Sequence, residues 1–186
     1  MRLKIFEIAR SRKTVRKFKA EKPPLSMIES AVECAKEAPS GMNAQPWLFL
    51  VIEDRDVKRR IRRTCERAEK EFYEKVSGRL GDWLKERNFT PEKPFLEEAP
   101  YLIAVFGDPR YPFWKESVWI SVGYLLLALE ELGLGSVTYT PPNMDEVGKI
   151  LIPKLWKLQT IIPVGYPDDP KEKYERKSLE EVMRVI

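Results

Sequence analysis

From about Trp114 to Leu132 the sequence predicts a helix whose middle is apolar on every side: Trp119, Ile120, Val122, Leu125, Leu126, Leu127 and Leu129. A helix with one apolar stripe needs one covering layer; a helix that is apolar all round must be covered on both sides. In a chain of 186 residues this implies a subunit interface as well as a core. The apolar run from Val118 to Leu129 is too short to span a bilayer. Gly133 and Gly135 end the helix.

The rest of the chain reads as one α+β domain over residues 1–186. Tyr101 to Phe106 is almost wholly apolar and predicts a central strand, with further strands at Trp47–Ile52, Ser136–Thr140 and Leu158–Val164. Leu3, Ile5, Phe6 and Ile8 suggest a short first helix. Ser26 to Glu29 reads as a capping box opening a helix through Ala38. Asp54 or Asp56 caps a long helix from about Val57 to Ser77, and a short one is expected at Met144–Ile150. The segment from about 66 to 96 is polar, interrupted by Gly78 and Gly81, and is expected to be a mobile active-site lid rather than core. The tail beyond Lys171 has little globular context and is expected to wrap a partner subunit.

Composition removes several chemistries. The chain has no histidine, which excludes Ser-His-Asp and Cys-His catalysis and most zinc sites, so no metal is expected. Catalysis must come from a cofactor, from carboxylates, or from Lys, Tyr and Arg. Two cysteines, Cys34 and Cys65, form no pairing pattern; reduced thiols and a cytoplasmic location are expected. The N-terminus lacks an apolar signal core. The net charge of +4 is spread over mixed charges, as in Glu66-Arg67-Ala68-Glu69-Lys70, which argues for solvated helix faces and against a nucleic-acid or membrane partner. Gly133-Leu134-Gly135-Ser136 follows a helix and lacks a third glycine, so it is no dinucleotide fingerprint, and no phosphate-binding Gly-Lys-Ser/Thr loop occurs.

Two stretches carry candidate chemistry. Pro39-Ser40-Gly41-Met42-Asn43-Ala44-Gln45-Pro46-Trp47 is a loop of restricted backbone with amide groups at a strand entrance. It suits a planar hydrogen-bonding ligand, or is a plain helix-to-strand connection in which Gly41 permits an unusual angle or a close approach. Arg10-Ser11-Arg12-Lys13-Thr14-Val15-Arg16-Lys17 concentrates five cationic side chains and two hydroxyls. Arg forks and hydroxyls suit a phosphate; an exposed basic helix end has the same composition.

Taken in order, Arg12-Lys13-Thr14-Val15-Arg16, the Pro39–Trp47 loop, Gly133–Pro141 and Arg176-Lys177-Ser178-Leu179 resemble the nitroreductase superfamily of flavin mononucleotide (FMN) enzymes across the whole chain. Pro39-Ser40-Gly41, Thr138-Tyr139-Thr140-Pro141-Pro142-Asn143 and Pro163-Val164-Gly165-Tyr166-Pro167 are most similar to the iodotyrosine deiodinase branch. The resemblance implies a homodimer with a nitroreductase-like mixed sheet flanked by helices, domain-swapped tails, and two flavins at the subunit interface. It implies FMN contacts from Arg12, Lys13, Thr14, Arg16, Pro39, Ser40, Gly41, Asn43, Thr138, Tyr139, Thr140 and Arg176. Thr140 corresponds to the catalytic position that hydrogen-bonds flavin N5, a bond that suits stepwise one-electron reduction.

For the substrate, the branch uses a Glu, a Tyr four residues later and a Lys about twenty residues on. Glu69, Tyr73 and Lys93 fit, and the first two share a helix face. The Met42 backbone N–H falls where the branch binds the substrate phenolate. The implied reaction is reductive dehalogenation of a halotyrosine to tyrosine and halide, with NAD(P)H or a reductase as electron donor. The alternatives are a broad nitroreductase or quinone reductase acting on a nitroarene, or a non-catalytic flavin-binding protein. The loop after Gly41 is closer to general nitroreductases than to animal deiodinases, the lid is one residue shorter, and the animal enzymes' membrane anchor has no counterpart. A soluble microbial version is therefore implied.

Overall fold

The computed structural model describes residues 4–151 and 155–186. Its centre is strand β2, Tyr101–Gly107, every residue of which is buried. Side chains alternate along a strand, and both faces of β2 are apolar. Tyr101, Ile103 and Val105 join one core, and Leu102, Ala104 and Phe106 join another. Two helix layers therefore cover the sheet. On one side lie α2 (Leu25–Lys36) and α6 (Trp114–Glu131), packed through Ile28, Ala31, Ala35, Val118, Val122, Leu125 and Leu129. On the other lie α3 (Arg55–Lys75), α5 (Phe95–Glu98) and α7 (Met144–Leu151), through Ile61, Cys65, Leu96 and Val147.

The other strands are β1 (Trp47–Ile52), β3 (Gly135–Ser136) and β4 (Lys157–Gly165), in the order β1-β2-β4-β3. β2 pairs with β1 from Trp47–Gly107 to Ile52–Leu102, and with β4 from Tyr101–Val164 to Gly107–Lys157, with a register shift after Val105. All three ladders are antiparallel. The sheet flanked by helices is as expected, and among the described residues its parallel contact is one bridge, Thr14 to Ser136. The residues around Thr14 follow directly on α1 (Lys4–Ser11) and do not run on as a ladder.

Several boundaries differ from those the sequence suggests. Leu3 lies outside the described residues. Helix α2 starts at Leu25 with Pro24 as N-cap, so Ser26 stands inside the helix and forms no capping box. Instead the Ser26 carbonyl accepts from the Ser30 hydroxyl at 2.9 Å. A capping box does occur at Ser178 and Glu181, opening α8 (Leu179–Val182). Asp54, not Asp56, caps α3 by accepting from the Val57 N–H at 2.8 Å. The strand expected over Ser136–Thr140 stops at Ser136; Tyr139 alone re-pairs, with Ile161, before Pro141 and Pro142, which carry no N–H for a ladder. The polar stretch after Ser77 folds as α4 (Gly78–Glu86).

Helix α6 buries Val118, Ser121, Val122, Leu125 and Leu129, yet leaves Trp119, Ile120 and Tyr124 exposed. Near it, α1 exposes Ile5 and Phe6. Beyond Lys171 the chain leaves the core and exposes Leu179, Val182, Met183, Val185 and Ile186. The root of this tail is fastened: Lys173 Nζ donates to the carbonyls of Ala9 and Arg10, at 2.7 and 2.8 Å. Lys13 Nζ donates to those of Asp169 and Lys171, at 2.8 and 2.7 Å.

The end of β2 admits no side chain. A Cβ on Gly107 would lie 2.4 Å from the Trp114 ring and 3.1 Å from Val118. Overpacking of this kind costs about 1–3 kcal/mol. Gly107→Ala is therefore expected to lower the thermal midpoint by several degrees, read by calorimetry of the purified protein; an unchanged midpoint would contradict the packing described.

Candidate active site

A cavity of about 650 Å³ opens between α3, α4, the turn that follows it, and the 137–139 segment. Its charged centre is Glu69, projecting from α3 and only 6% exposed. Glu69 Oε2 lies 3.2 Å from Lys93 Nζ, and Glu69 Oε1 accepts the Tyr139 hydroxyl proton at 2.7 Å. Lys93 Nζ also donates to the Thr90 carbonyl and stands 5.2 Å from the centre of the Tyr73 ring. The backbone N–H of Lys93 is held at 2.7 Å by Glu66 Oε1, which also takes Arg62 Nε at 2.8 Å. Glu69, Tyr73 and Lys93, distant in sequence, therefore converge on one cavity. A buried carboxylate and ammonium side by side can receive a zwitterion, each facing the opposite charge.

Burial raises the phenol pKa of Tyr73, with the Glu69 carboxylate adding to it. Burial likewise pushes the Tyr139 phenol far up, reinforced by Cys65 and Glu69. Both remain neutral donors at physiological pH.

The outer wall is aromatic. Trp83 of α4 stacks on Phe89 with centroids 5.1 Å apart and planes 15° from parallel. Arg87 sits over Trp83 at 4.8 Å, and Arg16 over Phe89 at 5.0 Å. Phe95 meets Tyr139 edge-on at 5.6 Å. No motif marks Trp83 and Phe89 in the sequence; the polar run from Asp82 to Pro94 conceals them. Arg16, read from the sequence as a phosphate ligand, here has its backbone N–H on Asp169 Oδ2 at 2.8 Å and its guanidinium against the Phe89 ring.

The other basic residues gather at the start of the tail. Arg12 Nε is buried and has no hydrogen-bond partner. Arg176 and Glu130 are close enough to act on the Arg12 charge, and Arg176 and Arg12 on that of Lys173. Arg176 itself is exposed and donates to the Tyr174 carbonyl at 3.1 Å. Thr14 forms the bridge to Ser136, and Lys13 is spent on the carbonyls described above. Thr138 lines the cavity and Thr140 is exposed beyond it.

The Pro39–Asn43 loop does not line this cavity. It packs on the start of α6, where the Gly41 N–H donates to Ser117 Oγ at 3.3 Å. Gly41 is required for close approach: a Cβ would meet the Phe113 ring at 3.0 Å. The left-handed backbone falls on its neighbours Met42, Asn43 and Gln45, with φ of 57°, 51° and 47°. Asn tolerates this region; for Met and Gln it stores strain, a feature concentrated at ligand-binding segments. Ser40 Oγ steadies the loop by accepting from the Gln45 N–H at 3.0 Å. Met42 is 81% exposed and Pro39 and Asn43 are also exposed.

With this geometry in view, the comparisons with known proteins are decisive. The model of the Nitroreductase family matches residues 9–166. The chain belongs to the nitroreductase family. Within it, the chain is 60% identical over 173 residues to iodotyrosine deiodinase of Thermotoga neapolitana, covering 92% of this chain and 93% of that one. It is 37% identical over 196 residues to iodotyrosine deiodinase of Nematostella vectensis, covering 96% and 73%. The fold superposes with a TM-score of 0.92 on a crystal structure of oxidized iodotyrosine deiodinase bound to FMN and 3-iodo-L-tyrosine. That structure is 58% identical to this nitroreductase-family chain, and the match covers 94% of this chain and 96% of that one. Among the described residues no helix is long and apolar enough to cross a membrane, and no group of His, Cys, Asp and Glu could hold a metal ion.

Cys65 lies beneath the site, fully buried, and its thiol pKa is pushed up to about 12 by burial. At pH 8 only about one part in ten thousand would be thiolate, the reactive form. A thiol reagent at pH 8 is expected to modify Cys34, which is exposed, and to reach Cys65 only on unfolding. Titration of the native and denatured nitroreductase-family protein checks this, and two fast thiols in the native state would contradict it.

Proposed function

We propose that this FMN-dependent oxidoreductase reductively dehalogenates halotyrosines, releasing tyrosine and halide. The observation that carries the reading is the convergence of Glu69, Tyr73 and Lys93 on one cavity. A general nitroreductase needs no buried ammonium and carboxylate pair beside an aromatic-walled cavity; an amino-acid substrate does.

The residues fit FMN. Arg12 carries a buried donor with no partner, and Arg176 and Lys173 add positive charge beside it. A dianionic phosphate would satisfy that donor and balance those charges. Arg12, Thr14, Arg16 and Arg176 would hold the phosphate and the polar edge, and Thr138 and Thr140 would lie along the ring. The chemistry supplied by bound flavin is transfer of two electrons, which with one proton converts a carbon–halogen bond into a carbon–hydrogen bond and a halide ion.

The chain does the rest. Glu69 takes the substrate ammonium, and Lys93 with the Tyr73 hydroxyl takes the carboxylate. Lid helix α4 and the turn carrying Phe89 exclude water from the reacting ring. The Met42 N–H receives the phenolate oxygen and keeps the ring electron-rich where the proton must be added. Because the Pro39–Asn43 loop of one protomer does not line its own cavity, a second copy must bring that loop to it. The exposed surface suits this: Met42, Phe113, Trp119, Ile120 and Tyr124 form an apolar side along α6, and the uncovered tail can cross to the partner.

Three outcomes are expected. The purified protein is yellow, and when reduced without oxygen and mixed with iodotyrosine it is reoxidised with release of iodide. Reoxidation by nitroarenes but not by iodotyrosine would replace this reading with a nitroreductase, and no reoxidation by either with a flavin-binding protein. Glu69→Gln and Lys93→Ala each lower kcat/KM for iodotyrosine by about a hundredfold, the effect of truncating one partner of a buried charge pair. Tyr124→Glu converts a species of twice 21.8 kDa into one of 21.8 kDa by light scattering and loses flavin.

A further inference from the structure

We propose that Tyr139 is a positioning residue that fixes the Glu69 carboxylate and thereby selects substrates bearing an ammonium group. The proposal rests on the halotyrosine reading above and deepens it. Tyr139 is not part of the Glu69, Tyr73 and Lys93 set; the family resemblance counts it among the flavin contacts, but here its phenol is turned to Glu69, so any contact with flavin falls to its backbone, which Tyr139→Phe leaves in place.

Three observations carry it. The phenol donates to Glu69 Oε1 at 2.7 Å, with both residues nearly buried, at 8% and 6% exposure. A charge-assisted bond of this kind, shielded from water, is among the stronger ones a neutral donor makes. Next, Tyr139 is itself rigidly held. Its N–H donates to the Ile161 carbonyl at 2.9 Å and its carbonyl accepts from Ile161 at 2.8 Å and from Thr160 Oγ1 at 3.0 Å. Phe95 meets its ring edge-on at 5.6 Å. The post therefore stands on β4, a central strand, while Lys93 stands in the lid segment. Finally, the two carboxylate oxygens are divided: Oε1 faces Tyr139 and Oε2 faces Lys93.

An arriving ammonium therefore competes with Lys93 for Oε2 while Oε1 stays fixed to the sheet. Lys93, released toward the substrate carboxylate, keeps its bond to the Thr90 carbonyl. Thr138 lines the same cavity and Thr140 is exposed beyond it, one on either side of Tyr139 in the chain. One three-residue segment thus fixes the substrate's ammonium end and presents the hydroxyls assigned above to the flavin. The distance between the amino-acid clamp and the reacting ring is set by the backbone of 138–140.

The test uses the flavin-loaded enzyme and two substrates, iodotyrosine and N-acetyl-iodotyrosine, which has no ammonium. Tyr139→Phe removes one oxygen and keeps the ring. It is expected to narrow the preference for iodotyrosine over the acetylated compound by about tenfold to a hundredfold, through KM more than kcat, with flavin affinity unchanged. In a Glu69→Gln background the same substitution should cost less than about twofold, because the group it positions is gone. Equal loss on both substrates, a drop in kcat alone, a weakened flavin site, or full additivity with Glu69→Gln would each overturn the proposal. A wild-type enzyme that releases iodide alongside a Tyr139→Phe variant of unchanged preference overturns this proposal alone. A wild-type protein that releases no iodide overturns the halotyrosine reading and this one with it.

Discussion

The structure depends on one strand being apolar on both faces. β2 is hydrogen-bonded on both edges and buried throughout, so it must have a helix layer above and another below. Odd-numbered residues from Tyr101 to Val105 set the core beneath α2 and α6. Even-numbered residues set the core beneath α3, α5 and α7. Each layer then has a separate task. The first turns the apolar side of α6 outward; the second lifts α3 to the height at which Glu69 faces the cavity. A register slip of one residue in β2 would exchange the two cores and dismantle both arrangements.

A chain without histidine has few ways to work at neutral pH. Burial raises the phenols of Tyr73 and Tyr139 and the thiol of Cys65, so none of these becomes a base or a nucleophile there. What remains is electrostatic. The groups that converge in the cavity bind and orient, and the electrons must come from a cofactor. That division suits a cavity lined by both aromatic rings and charged side chains, in which the buried charges are the pair Glu69 and Lys93 and the acidic Asp169.

Much of this is legible in the residues. The strands at 47–52 and 101–107 are written as unbroken apolar stretches, that at 157–165 is marked by Leu158 and the run from Ile161 to Val164, and α6 reads as a helix whose middle is apolar all round. The Glu-x-x-x-Tyr spacing and the distant Lys93 announce a site only because a family resemblance gives that spacing meaning. Helix α4 is concealed, because Gly78, Gly81 and Asp82 resemble loop composition while Trp83 and Leu84 supply the apolar side. The Pro24 cap is concealed by the stronger-looking Ser26 and Glu29 pair. Tertiary placement is what sequence could not state: Tyr139, paired with Ile161 of β4, meets Glu69 of α3, and Arg16 lies on Phe89, more than seventy residues away in the chain.

The position of Arg16 joins the two ends of the site. Its guanidinium can stack on the Phe89 ring or complete the cationic group around a phosphate, and the two demands lie at different places. Lys171 also approaches Phe89, at 5.9 Å, and Arg87 bridges Trp83 to Tyr174 of the tail. Helix α4 with the turn after it, the basic segment and the tail root are therefore linked by cations placed over aromatic rings, contacts worth about 0.5–2 kcal/mol each. Contacts that weak can be exchanged for a charge-assisted bond to a phosphate without disturbing the sheet. They lie outside the sheet on which the pairing of Tyr139 with Ile161 rests, so exchanging them leaves the hydrogen bond from Tyr139 to Glu69 in place.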